Sequence, residues 1–168
     1  MAIDATLSGT TSNSFMSISD ADALFTEIYG SDQWFNFSND EKSTLLINST
    51  NKLQTFIFSG LKAISHQALN FPRIAIFDYD GLPITGIPKK LKLATLLLAK
   101  WIWEESERNM TDAELQQFSN VKMGPLDFTP RGDAIIIPTE VNQMLSSIGP
   151  GILVTSNSYN KSSVSFCR

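Results

Sequence analysis

Pro88-Lys89-Lys90-Leu91-Lys92-Leu93-Ala94-Thr95-Leu96-Leu97-Leu98-Ala99-Lys100-Trp101-Ile102-Trp103 sets the architecture of this chain. Proline suits the first position of a helix, because the N–H it lacks is one a helix leaves unbonded there anyway. The stretch predicts a helix from Pro88 to about Glu107. From Leu93 to Trp103 it is apolar on nearly every side, which marks a helix buried among others. The apolar run from Leu91 to Trp103 is interrupted by Lys92 and Lys100 and falls short of the ~20 residues that span a bilayer. The expectation is therefore a central helix surrounded by partners, with no membrane segment.

Those partners are legible on both sides. Upstream, Ser38-Asn39-Asp40-Glu41 has the spacing of a capping box, in which serine and glutamate each satisfy the other's free backbone N–H. It opens a helix with Leu46, Leu53 and Ile57 in one apolar row, Leu45 and Phe56 beside it, and Ser59-Gly60 as its end. Further upstream, Ser17 or Ser19 caps a helix whose first turn holds Asp20 and Asp22, where carboxylates complement the helix dipole. Ala21, Leu24, Phe25 and Ile28 share one face, and Gly30 supplies the stop. Residues Leu61 to Gly86 read as irregular, with an extended conformation imposed before Pro72 and turn chemistry at Asp78-Tyr79-Asp80-Gly81.

Downstream, Thr111-Asp112-Ala113-Glu114 is a second capping box, predicting a short helix through Phe118. Val121–Phe128 and Ala134–Ile137 read as strands joined across the turn Arg131-Gly132-Asp133. A last helix begins near Pro138 with Val141, Met144, Leu145 and Ile148 on one face, and Gly149-Pro150-Gly151 stops it. The fold class expected is mainly α: a bundle of about four helices with a small β-hairpin and extended N- and C-terminal arms. The chain divides into an arm over 1–14, a helical domain over 15–149 and a tail over 150–168. The tail has strand-forming residues (Ile152, Val154, Tyr159, Val164, Phe166) in a Ser/Asn-rich background and too few apolar groups for a core, so it is disordered or laid on a partner.

Composition narrows the function. The 168 residues carry a net charge of −4, with only 18% charged residues. Phosphate backbones reward clustered Lys and Arg, so an acidic chain is a poor general nucleic-acid binder. Asp20, Asp22, Glu27, Asp32, Asp40 and Glu41 make the first quarter acidic, whereas the tail after Gly151 holds Lys161 and Arg168 and no acidic side chain. The single cysteine, Cys167, excludes an intrachain disulfide and fits a reducing cytoplasm. Met1-Ala2-Ile3-Asp4 lacks the basic and apolar regions of a signal peptide.

No catalytic, metal or cofactor site is expected. His66 is the sole histidine, and a Ser–His–Asp triad needs a nucleophile motif such as G-x-S-x-G, which is missing. Beside Ser65 it reads better as a loop imidazole. Asp78-x-Asp80-Gly81 resembles the start of a calcium loop, but Lys89 stands where the twelfth-position glutamate belongs. There is no phosphate loop. Lys89, Lys90 and Lys92 read as the solvated first turn of a helix, open to pairing with nearby acids, and Trp34, Trp101 and Trp103 are not interleaved with basic residues as a single-strand stacking platform would be. Arg131-Gly132-Asp133 and the Asn-x-Ser/Thr triplets at Asn36, Asn48, Asn109 and Asn160 read as turn chemistry and chance in a Ser/Asn-rich chain. Arg73, its direction partly fixed by Pro72, is expected to pair with carboxylates of the acidic first helix or of a neighbour.

Four segments resemble a family of tailed-phage head-to-tail adaptor (head-completion) proteins, many of which are labelled DnaT-like single-stranded DNA-binding proteins. They are Asp4-Ala5-Thr6-Leu7-Ser8-Gly9 with Asn13–Ser17 and Ala21–Phe25; Lys42 with Leu45–Thr50 and Leu53; Gln67–Arg73 with Asp80-Gly81 and Ile87-Pro88; and Val121–Leu126 with Ile137-Pro138, Val141 and Leu145. Phe71 stands where tryptophan is usual before Pro-Arg, and the tail after Gly151 matches no pattern of the family. The resemblance implies a structural subunit in a homo-oligomeric ring, typically dodecameric, made in the bacterial host cytoplasm and placed at the head–tail junction of the virion. Its partners would be copies of itself, the portal protein and a tail or nozzle protein, with DNA passing through the channel unread. Candidate intersubunit or portal contacts are Arg73, Ile152, Val154, Tyr159, Phe166 and Arg168. The alternatives are a single-stranded DNA-binding or replication accessory protein, as the family label suggests, and a hydrolase using His66.

Overall fold

A computed structural model describes residues 2–107 and 137–154. The short helix, the hairpin and the Arg-Gly-Asp turn expected over 111–137 lie almost wholly outside the described residues, as do Tyr159, Phe166, Cys167 and Arg168.

The fold is mainly α. Four α-helices are described: α1 (Ile18–Phe25), α2 (Asn39–Leu53), α3 (Lys89–Glu107) and α4 (Thr139–Ser146). Four two-residue strands join them: β1 (Ile57–Phe58), β2 (Leu61–Lys62), β3 (Arg73–Ile74) and β4 (Leu153–Val154). β1 pairs antiparallel with β4 and β2 antiparallel with β3. The central position of α3 is realised: it packs on α2 along one side and on α4 along another, with α1 reaching both α2 and α3. Leu91, Ala94, Leu98, Val141, Leu145 and Ile148 share one core with Leu53, Phe58 and Phe71. Leu96, Ala99 and Trp103 face a second core with Phe25, Trp34 and Leu46. An all-round apolar helix thus serves two cores at once. No described helix is long and apolar enough to cross a membrane.

Helix starts follow their caps. Ser17 Oγ accepts from Asp20 N at 3.1 Å at the head of α1. At α2 the capping box closes both ways: Ser38 N donates to Glu41 Oε2 at 2.8 Å and Glu41 N to Ser38 Oγ at 3.4 Å. The backbone and hydroxyl of Ser38, donating to the Glu41 carboxylate, hold its pKa below the ordinary glutamate value. Helix ends depart from expectation. α1 stops at Phe25, and a 3₁₀ turn over Asp32–Asn36 follows, burying Trp34. α2 stops at Leu53 rather than at Ser59-Gly60, because Ile57 and Phe58 pair with Val154 and Leu153 instead. β-branched and aromatic residues lose rotamer freedom in a helix and fit a pleated pair, so a distant partner strand wins them.

Two segments read as loose are tied down. Residues 2–14 hold no helix or strand, yet Asn13 and Ser14 donate backbone N–H groups to Asp4 O, and Ala68 N donates to Gly9 O. Asp4 also accepts from Thr6 N and Thr11 Oγ1, which lowers its carboxyl pKa. Ile152, placed in the tail from sequence, is only 1% exposed in the first core, and its carbonyl accepts from Ser59 N at 2.8 Å. Its neighbours Leu153 and Val154 form β4, so the body of the fold extends past Gly151.

Candidate functional site

The residues that could support chemistry are scattered. His66 and Ser65 are both exposed. Asp78 is spent on its own turn, with Oδ1 accepting from Asp80 N at 2.9 Å and Leu82 N at 2.8 Å. Among the described residues no group of His, Cys, Asp and Glu could hold a metal ion.

The lysines of the α3 first turn are used within the fold. Lys92 pairs with Asp20 at 2.8 Å, Lys89 with Glu27 at 3.4 Å, and Lys90 donates to Ser147 O. These contacts fasten α1 and the end of α4 to α3. Lys42, 7% exposed, meets Asp22 at 3.0 Å, and Trp34 Nε1 donates to the same carboxylate oxygen at 2.7 Å. The ammonium also lies 5.3 Å from the Trp34 ring centroid. One carboxylate therefore joins α1, the 3₁₀ turn and α2. Trp34 and Trp103 are packed in the second core with their centroids 6.1 Å apart, so neither offers a face to a nucleobase.

Arg73 has partners other than those expected. Its Nε donates to Ser59 O at 2.6 Å, one terminal nitrogen to Gly60 O at 2.7 Å and the other to Asn70 O at 3.2 Å. All three are backbone carbonyls; no carboxylate takes part in these bonds. Partial burial lowers its pKa from the ordinary arginine value. Arg73 thereby clasps the β1–β2 turn onto the segment after the cis Phe71–Pro72 bond. Charge-assisted hydrogen bonds stabilise by more than neutral ones, so Arg73→Ala is expected to lower stability by about 1.5–3 kcal/mol. A lysine cannot bridge three carbonyls with a planar fork, so Arg73→Lys recovers only part of this. A urea midpoint unchanged in Arg73→Ala would remove the clasp from the account.

The feature that sequence reading passed over is apolar and exposed. Ile57, Leu61, Ile64, Ile74, Phe77, Tyr79 and Leu82 are all exposed large hydrophobics within one stretch of chain. Leu61 (66% exposed) and Ile74 (51%) stand opposite each other across the β2–β3 ladder. Beyond them Phe77 bridges to Pro83 around the Asp78 turn, and Tyr79 Oη donates to Ser146 O at 3.0 Å. Single exposed hydrophobics are ordinary, whereas a concentration of them marks a contact surface. The available signal was Leu61, Ile74, Phe77 and Leu82 lying in a stretch too rich in turns to bury them.

Comparison with known proteins adds one finding. Residues 1–159 match the family described as "Putative DnaT-like ssDNA binding protein". The chain belongs to that family. No curated protein and no solved structure matches it. The matched residues include both cores, the Arg73 clasp and the exposed 57–82 stretch of this chain.

Proposed function

We propose that this member of the family is an assembly subunit, which works by presenting the 57–82 surface to another protein. The observation that carries the reading is the exposed apolar pair Leu61 and Ile74 on the β2–β3 ladder, with Ile57, Ile64, Phe77 and Leu82 in the same stretch. The occupant proposed is a second copy of this chain, in the ring that the head-to-tail adaptor resemblance implies. In that setting the subunit sits in the virion between portal and tail and lets DNA pass without reading it. The ring, its dodecameric count and its portal and tail partners rest on the resemblance alone.

The family description supports a second reading, single-stranded DNA binding, and names neither portal nor tail. Against that reading stand the net charge of −4, the ion pairs that occupy Lys42, Lys89 and Lys92, and the burial of Trp34 and Trp103. Backbone binding needs cations free to displace counterions.

One pair of measurements separates the two. Analytical ultracentrifugation of the full chain is expected to show concentration-dependent association, abolished in the double variant Leu61→Asp, Ile74→Asp while its circular dichroism is unchanged. An electrophoretic shift at physiological salt is expected to show no saturable single-stranded DNA binding below about 1 µM, tighter than nonspecific affinities usually run. A chain that stays monomeric at all concentrations and binds single strands below that threshold would replace the assembly reading with the family's description.

A further inference from the structure

The chain beyond β4 carries a strand pattern. Ser163-Val164-Ser165-Phe166 alternates polar and apolar side chains, so Val164 and Phe166 fall on one face of an extended chain and the serines on the other. We propose that this segment of one copy adds as a third strand to the β2–β3 ladder of a second copy, laying Val164 and Phe166 against Leu61 and Ile74. This transfer rests on the assembly reading above and names the part of the second copy that covers the 57–82 surface.

The ladder suits an incoming strand. β2 and β3 make a two-stranded sheet, with no third strand beside either among the described residues. A sheet edge offers backbone N–H and C=O groups to an arriving chain, and the side chains of that chain then fix which face it covers. Leu61 and Ile74 stand opposite each other on one face, and both are more than half exposed. A strand with apolar residues two apart covers that face, while its serines stay wet on the other. Val and Phe also fit a pleated, half-buried surface.

The register of β4 bears on which copy supplies the strand. Leu153 lies opposite Phe58 and Val154 opposite Ile57. The chain therefore leaves β4 toward Phe56 and the end of α2, away from Gly60 and Leu61. To reach the ladder of its own copy it would have to reverse at once; toward a neighbour it continues outward. From Val154 to Phe166 an extended chain spans about 40 Å, roughly the width of a folded domain of this length. Charge favours the same transfer. Beyond Val154 the tail holds Lys161 and Arg168 and no acidic side chain, whereas the whole chain carries −4, so a neighbour's body attracts the tail.

Two full-length double variants test the transfer by complementation. Leu61→Asp with Ile74→Asp spoils the ladder and keeps the tail; Val164→Asp with Phe166→Asp spoils the tail and keeps the ladder. In analytical ultracentrifugation each is expected to self-associate at least about tenfold more weakly than the unaltered chain, since a few apolar anchors carry most of an interface. Mixed in equal amounts, they are expected to form a species of two chains, because the tail of the first meets the intact ladder of the second. Circular dichroism and thermal melts confirm that each is folded before mixing, and serine at the same positions makes the same test should aspartate unfold either chain. If the tail variant associates as well as the unaltered chain while the ladder variant does not, ladder meets ladder: the assembly reading stands and the tail transfer is overturned. If the tail variant associates more strongly than the unaltered chain, the tail covers the ladder of its own copy and the proposal fails. A mixture that stays monomeric overturns it too. A ladder variant that associates like the unaltered chain, or an unaltered chain that never associates, removes the assembly reading and the tail transfer together.

Discussion

Leu98→Ala is expected to destabilise the protein by about 2–5 kcal/mol, the range for truncating a fully buried leucine. Leu98 has no exposed surface and sits in the first core with Leu91, Leu145 and Phe71. The loss has two parts: the transfer free energy of the removed methyl groups and the cavity left when neighbours cannot collapse into it. Collapse is difficult here, because α3 is wedged between α2 and α4 and moving toward one opens a gap at the other. Leu97→Ala supplies the contrast. Sequence reading places Leu97 in the same buried run, yet its side chain is only partly buried against that core. Its truncation should cost visibly less than that of Leu98 in the same urea titration. Equal costs would contradict the two-sided burial of α3.

The second large effect concerns where the folded body ends. Ending the chain at Gly151 removes Ile152 from the core and takes β4 away from β1. The Ser59 N–H loses the Ile152 carbonyl, and Phe58 loses its strand partner. The loss of the isoleucine side chain alone corresponds to about 2–5 kcal/mol. Ending the chain at Val154 removes none of these contacts. The expected result is a marked fall in melting temperature for the first truncation relative to the second. If both melt together, Ile152 does not hold the core as its burial indicates. The sequence alone points the other way, because it reads 150–168 as a tail that is disordered or laid on a partner.

That reversal shows what kinds of information the sequence carries. Caps are local, and Ser17, Ser38 with Glu41, and the Asp78 turn all appear as their spacing predicts. Periodicity is nearly local, so Val141 and Leu145 face the core as expected. Pairings between distant segments leave no such mark. Nothing near Ile57 announces Val154, and Gly149-Pro150-Gly151 looks like a boundary although the chain returns to the core straight after it. Gly149 has a nearer reason to be glycine, since a Cβ there would run into the Phe77 carbonyl and into Ile152 Cδ1 at 2.6 Å. The candidate surface follows the same rule. The sequence points Arg73 toward carboxylates, whereas two of its three carbonyl partners, Gly60 O and Ser59 O, lie in a turn thirteen and fourteen residues earlier. The exposed faces of Leu61 and Ile74 become visible only once β2 and β3 are paired.

The β1–β4 ladder also bears on how the protein is made. It joins Ile57 to Val154, a closure of roughly a hundred residues, and so contributes heavily to contact order. While the chain leaves the ribosome, α1, α2 and β1 emerge long before the segment that completes them. Phe58, Phe71 and Leu91 must wait, uncovered on one side, until Val141, Leu145 and Ile152 arrive. At elongation rates of about 5–20 residues per second this interval lasts for seconds, time enough for exposed apolar surface to find other molecules. The nascent chain thus carries an aggregation risk late in synthesis, and β4, the last of the described strands, helps to end it.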